Sequence, residues 1–142
     1  MEKFKQSGVI PFRKHNGAIE VLIISTRNGD WSIPKGIIEY NLTPQESALK
    51  ECIEEAGVGG IIDEPKVGTF KYKKWGGICK VKVYKMKVTK VYSKWEEDNF
   101  RERLWIPLSE VPSTIKFKKL IDIILNSFEK ELKFLKRKSD DK

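Results

Sequence analysis

Glu51, Glu54 and Glu55 stand at i, i+3 and i+4, so on a helix they project from one face. Like charges at that spacing cost about 0.2–0.5 kcal/mol per pair, and the C-terminal end of a helix disfavours anions by roughly 0.3–1 kcal/mol. Local energetics oppose the arrangement. One account is an ordinary solvated face on which Lys50 pairs with Glu54 at i, i+4. The other is a hard divalent cation. Gly36-Ile37-Ile38-Glu39 lies upstream in a loop able to bring a backbone carbonyl beside the helix, and carboxylate plus carbonyl oxygens are the donors Mg²⁺ prefers. Such an ion cancels the repulsion, keeps several waters and commonly shares its coordination with substrate phosphates.

The helix that must carry these carboxylates announces itself. Thr43 can cap it, Pro44 suits a first helical position that needs no donor, and Glu46 completes a capping box. Ala48, Leu49, Cys52 and Ala56 recur at helical spacing and Gly57 stands where a left-handed C-terminal residue belongs, which predicts a helix over about 43 to 56. Ahead of it, Gly8 to Arg13 reads as a short strand whose Pro11 suits an edge or a bulge. Asn16-Gly17 predicts a hairpin into a largely buried strand from Glu20 to Ser25, and Arg27 to Asp30 breaks the pattern. His15, beside that turn, reads as an ordinary exposed residue. Downstream, Lys66 to Lys73 and Ile78 to Tyr92 form a second hairpin across Trp75-Gly76-Gly77. In its long arm the apolar phase moves from Val81 and Val83 to Tyr84, Met86 and Val88, which predicts a bulge. The interleaved lysines suit edge protection, with a ligand-facing role as the alternative. Arg101 to Pro107 reads as a further strand, Ser109 to Ser113 as a loop leading into a helix, and Phe117 to Leu135 as a final amphipathic helix.

The chain has 142 residues, 39% apolar and 34% charged, with four Trp, seven Phe and four Tyr, which suffices for one packed domain. The expected organisation is one domain over 1–135 and a charged tail over 136–142. No apolar run approaches the ~20 residues of a bilayer crossing, and the opening segment lacks a secretory apolar region, so the expected location is cytoplasmic. Cys52 and Cys79 lack metal or disulfide spacing and read as small buried hydrophobes. A net charge of +8 favours anionic partners without choosing among them.

Gly36 followed by Lys50-Glu51-Cys52-Ile53-Glu54-Glu55-Ala56-Gly57-Val58 resembles the Nudix box: G, five residues, E, seven residues, then R-E-U-x-E-E-x-G-U with U apolar. The preceding Trp31 to Gly36 is similar to the W-x-x-P-K-G that leads into the box in many members. The resemblance implies an α/β fold, a Nudix-type α/β/α sandwich with a mixed sheet, the box helix and a C-terminal helix. Two positions depart from the pattern. Leu42 stands where the family has its first box Glu and Lys50 where it has Arg. The ion pair that ties loop to helix in the family is therefore expected to be missing, with Leu42 packing apolarly and Lys50 pairing with a box Glu.

The activity this resemblance implies is hydrolysis of a diphosphate linkage with Mg²⁺ or Mn²⁺. Carried over residue by residue, Gly36, Glu51, Glu54 and Glu55 bind metal, and Glu54 holds a second ion or acts on the attacking water. Glu97 is the leading carboxylate beyond the box. Trp95 to Asp98 and Arg101 to Trp105 are similar to a stretch of the diphosphoinositol polyphosphate and diadenosine polyphosphate hydrolase branch. Arg27, Lys35, Arg101 and Arg103, with lysines of the second hairpin, are the candidate substrate-binding residues, and Trp31, Tyr72 or Trp75 could stack a base. A nucleotide or polyphosphate is the expected partner. An RNA 5′ end, a binding-only module and, last, a lipid surface met by the final helix stay as alternatives, and monomer and homodimer are both open.

Overall fold

Asn16 and Gly17 take positive φ values of 52° and 78°, closing the two-residue hairpin turn that the Asn-Gly pair predicts. The computed structural model describes residues 3–133. In chain order its elements are β1 (Lys3–His15), β2 (Ala18–Ser25), β3 (Trp31–Ser32), β4 (Lys35–Ile37), α1 (Pro44–Ala56), β5 (Val58–Ile61), β6 (Gly68–Lys74), β7 (Gly77–Val91), β8 (Arg103–Pro107), a single 3-10 turn at Leu108–Glu110, α2 (Val111–Thr114) and α3 (Lys118–Ser127). All eight strands join one mixed sheet. β1 runs parallel to β7, and every other pairing is antiparallel.

Two apolar layers cover the two faces of this sheet, giving the expected α/β/α sandwich. On one face Val9, Leu22, Ile24, Tyr84 and Met86 meet Ala48, Cys52 and Ala56 of α1, whose small side chains let the helix lie close to the strands. On the other, Ile10, Val21, Ile23, Val81 and Val83 meet Leu120, Ile121, Ile124 and Phe128. Burial on both faces is why β2 reads as a continuous apolar run rather than an alternation.

Three expectations from sequence are corrected. Pro11 lies in a central strand rather than at an edge. β1 pairs with β4 through residues 6–8 and with β2 through residues 12–15, so Pro11 falls where one partner gives way to the other. No bulge interrupts β7 at residues 83–84, where its register with β1 runs unbroken. The apolar phase shifts because both faces of that stretch are buried, with Lys85 taking an interior position. Its ammonium donates to the Ser127 carbonyl (2.8 Å) and to Glu131 (2.9 Å) and lies 4.4 Å from the Phe128 ring centroid. The irregularity of β7 lies further on, at Thr89, which is left without a partner where the consecutive Gly59 and Gly60 of β5 oppose Lys90 and Val88; a Cβ on Gly60 would run into the Lys87 carbonyl. Finally, Phe128 interrupts the last helix, and helical turns resume over residues 129–133. Leu135 and the expected tail at 136–142 lie outside the described residues.

Helix α1 begins as its sequence predicts. The Thr43 hydroxyl accepts the Glu46 N–H at 3.1 Å, and the Glu46 carboxylate accepts the Thr43 N–H at 2.9 Å. Gly57 ends the helix at φ 65°. Thr43→Ala removes one of the two reciprocal caps, and urea denaturation should report a loss of about 1 kcal/mol at an unchanged m-value.

Candidate active site

The three-residue strand β4 lies against β1 and presents Gly36 to the box helix. A Cβ at that position would fall within the Glu51 carboxylate, so only glycine lets this side chain rest on the strand. One residue earlier, the Lys35 N–H donates to Glu55 Oε1 at 2.9 Å. The opposite Glu55 oxygen takes the Arg101 guanidinium at 3.3 Å. Glu54 lies along the same helix, and its backbone carbonyl accepts the Glu97 N–H at 3.1 Å. The helix face carrying the box carboxylates is thus pinned from two sides: by β4, and by the turns around residues 96–100.

Burial dominates the electrostatics. Glu51 is pushed up to about 7 by desolvation, with Glu55, Glu54 and Glu97 adding repulsion. Glu55 is also pushed up to about 7 by burial, against the opposing pull of the Lys35 N–H and Arg101. Desolvation lowers the Lys35 ammonium below its ordinary value, with Glu55 opposing. Its Nζ sits 4.9 Å from the centroid of the Tyr72 ring.

The loop–helix tie expected to be missing is present in another form. Lys50 Nζ reaches Glu39 Oε1 at 2.7 Å and stands 3.7 Å from Glu54. The Leu42 N–H closes a turn on the Glu39 carbonyl, which folds the Glu39 side chain over the helix, while Leu42 itself is half-buried. The Ser47 hydroxyl adds a second tie, donating to the Ile37 carbonyl and accepting the Glu39 N–H, both at 3.2 Å. Neither contact was foreseen from sequence, because the family position that suggests such a tie is Leu42 and the carboxylate arrives from three residues earlier.

A cavity of about 670 Å³ opens beside this cluster. Arg27, Lys35 and Arg101 line it, together with Lys74 of the second hairpin and Lys116, and Trp31, Phe70, Tyr72 and Phe117 form its aromatic walls. Of the three aromatics considered for stacking, Trp31 and Tyr72 are here, while Trp75 packs edge-on against Phe4 at the hairpin tip. Arg101 reaches the cavity with one donor of each guanidinium nitrogen engaged, by Glu55, Glu97 (2.5 Å) and the Ser25 carbonyl (2.9 Å), which leaves an N–H on each terminal nitrogen for a ligand. Arg103, expected among the substrate-binding residues, lies elsewhere. Its guanidinium donates to the carbonyls of Ala56, Gly57 and Tyr92 and stacks 4.0 Å from the Trp95 ring centroid, so it closes the C-terminal end of α1. Sequence gave no sign of Phe117 or Lys116 as lining residues, since they come from the far end of the chain.

Among the described residues no three Asp, Glu, His or Cys side chains are gathered as a finished metal cage. The donor set still fits a divalent cation. Two crowded carboxylates, Glu55 buried and Glu51 half-buried, offer beside a glycine cradle oxygens whose repulsion a hard ion would relieve, and such an ion completes its shell with water. Without metal, Glu51 and Glu55 hold protons more tightly in the folded chain than in the unfolded one, so stability declines as pH rises from the ordinary carboxylate range towards 7. In EDTA the melting temperature should fall between about pH 5 and pH 8 by scanning calorimetry. Glu51→Gln should flatten that fall, and an equally steep profile in the variant would exclude the carboxylate as its source.

A family model described as the NUDIX domain matches residues 4–124. The chain is 38% identical over 110 residues to Nudix hydrolase 21, chloroplastic, of Arabidopsis thaliana, covering 72% of this chain and 55% of that protein. It is 30% identical over 141 residues to Nudix hydrolase 16, mitochondrial, of the same plant, covering 86% and 78%. It therefore spans about half the length of the first of these relatives. Among solved structures, a C. elegans Ap4A hydrolase superposes with a TM-score of 0.73 at 21% identity, over 92% of this chain and 99% of that one, which is a likeness of fold. With the box carboxylates on one helix face, the glycine cradle beneath them and a domain match running through most of its length, the chain belongs to the Nudix family.

Proposed function

We propose that the protein is a divalent-metal-dependent hydrolase that cleaves a diphosphate linkage in a nucleoside polyphosphate, such as a dinucleoside polyphosphate. The observation that carries this reading is the junction of two environments. Glu55 bonds directly to Lys35 and Arg101, and those two residues line a cavity whose walls are cationic and aromatic. A substrate with phosphates at one end and a base at the other suits that polarity.

In this reading Glu51, Glu55 and the Gly36 carbonyl hold Mg²⁺ or Mn²⁺. The ion, when bound, neutralises the diphosphate and eases ionisation of the attacking water. Glu54 accepts the proton of that water or contributes to a second ion, with Glu97 beside it as the carboxylate from outside the box. Lys35 and Arg101 orient the phosphates, Arg27 and Lys74 extend the positive lining, and Trp31 or Tyr72 stacks the base. Arg103 serves the helix end and not the substrate.

A binding-only module would have as its mark Leu42, which stands in place of the first box Glu. The Glu39–Lys50 pair favours the catalytic reading, because loop and helix remain tied by charge. Removal of pyrophosphate from RNA 5′ ends is the second reading, and the net charge of +8 supports it. No helix among the described residues is long and apolar enough to cross a membrane. A cytoplasmic location belongs to the proposal, although the two plant relatives are named for the chloroplast and the mitochondrion.

Glu54→Gln should lower Mg²⁺-dependent turnover by about 10²- to 10⁴-fold while leaving the circular dichroism spectrum and melting temperature unchanged. The assay is nucleotide or phosphate release from a panel of dinucleoside polyphosphates, ADP-ribose, oxidised nucleoside triphosphates and triphosphorylated RNA, with and without metal. Undiminished turnover in the variant would remove Glu54 from the chemistry, and silence across the whole panel would return the chain to a binding role.

A further inference from the structure

The lysines interleaved in the β6–β7 hairpin are only partly explained by edge protection. β6 is an edge strand, but β7 lies between β1 and β6, and β1 pairs on both sides. The register sets the lysines side by side. Lys5 of β1 pairs with Lys80 of β7, and Lys80 pairs with Lys71 of β6, so three ammonium groups stand abreast across three strands. In the adjacent row Lys3 and Lys73 flank Ile78, and Lys82 lies two residues beyond Lys80. Directly paired residues point to the same face of a sheet, so all six share one face.

Burial agrees with that assignment. Lys3, Lys5, Lys71, Lys73 and Lys80 are exposed and Lys82 is half-buried, while the intervening Gln6, Phe70, Cys79 and Val81 are buried beneath the opposite face. None of the six makes an ion pair among the described residues. Like charges directly opposite one another destabilise a sheet, and among the described residues no carboxylate pairs with them. The face is also separate from the cavity, which takes Phe70 and Tyr72 from the other side of the same strand.

From this array we infer that the open face formed by β1, β7 and β6 is a docking surface for the phosphate backbone of a nucleic-acid strand. Rows about 5 Å apart across the strands and about 7 Å apart along them give a two-dimensional grid of point charges, matched to a polymer that carries a charge on every residue. Lysine supplies charge without the bidentate fork of arginine, so the grid reads backbone and not sequence. A bilayer fits less well. Peripheral membrane surfaces combine basic residues with an apolar wedge, and on this face only the half-buried Ile78 interrupts the lysines. The exposed Trp75 ring packs on Phe4, which points to the opposite face from Lys3 and Lys5.

The test is fluorescence anisotropy of a labelled oligouridylate titrated with the full chain over a series of salt concentrations. Lys5→Gln, Lys71→Gln and Lys80→Gln together should weaken binding at least tenfold and reduce the slope of log affinity against log salt by about 2, at roughly 0.7 per phosphate contact on a single strand. This triple variant should melt no lower than the unaltered protein, because the substitutions relieve repulsion, and its turnover of small nucleotides should be unchanged. A control triple of equal charge, Lys14→Gln, Lys66→Gln and Lys119→Gln, should stay within about twofold of the unaltered affinity. Equal weakening by both triples would overturn the assignment, as would an unaltered protein that does not bind the oligonucleotide. So would a first triple that loses binding to phosphatidylserine vesicles while keeping its RNA affinity. The outcome stands apart from the hydrolase reading, since no arm of the binding assay uses the carboxylates or a metal.

Discussion

The last turns of α1 hold carboxylates that repel one another and repel the end of their own helix, and two of them, Glu51 and Glu55, have given up water to burial. Such a patch persists only because the backbone on either side leaves it nowhere to go. Thr43 and Glu46 lock the start of the helix, Gly57 and Arg103 lock its end, and the Lys35 N–H holds Glu55 from the front. The cradle at Gly36 exists because β4 can lie against residues 6–8 of β1, and β4 has that space because β1 and β2 stay paired only through residues 12–15. Pro11 at this branch point therefore bears on the chemistry without approaching it.

The most legible parts of the molecule were those specified by neighbours in sequence. The capping box, the left-handed Gly57 and the Asn16-Gly17 turn each rest on interactions within four residues, and each forms as its residue types dictate. The carboxylate face was readable for the same reason, since i, i+3 and i+4 are fixed by the helix itself. Less legible was whatever depended on which strand lies beside which. Pro11 looked like an edge residue because nothing local discloses a branch in the sheet. The phase shift in β7 looked like a bulge because a strand buried on both faces loses its alternation, and Lys85 fits an interior position only through Ser127 and Glu131, more than forty residues away. Arg101 and Arg103 differ by two residues and looked alike. Arg101 stands ahead of β8, where the chain passes Glu55 and Glu97, whereas Arg103 opens the strand and reaches the end of α1.

The sheet also divides the charge of the chain. Its cationic cavity and its lysine face lie on opposite sides of β6, neighbouring residues of the same strand serving two environments. An excess of basic residues that looks diffuse in composition is thus organised in space. One set is enclosed by aromatic walls beside carboxylates, and the other is spread in the open.

The parallel ladder between β1 and β7 joins Lys3–Phe12 to Ile78–Lys87, so the longest pairing of the first strand waits for a segment made much later. Contacts this distant slow folding, because loop closure must be completed before they form. Until β7 arrives, the β1–β2 hairpin holds apolar side chains on both faces and an unsatisfied strand edge. Recovery of the protein from denaturant is therefore a race between capture of that edge by its own β7 and capture by another molecule, and dilution should decide the winner.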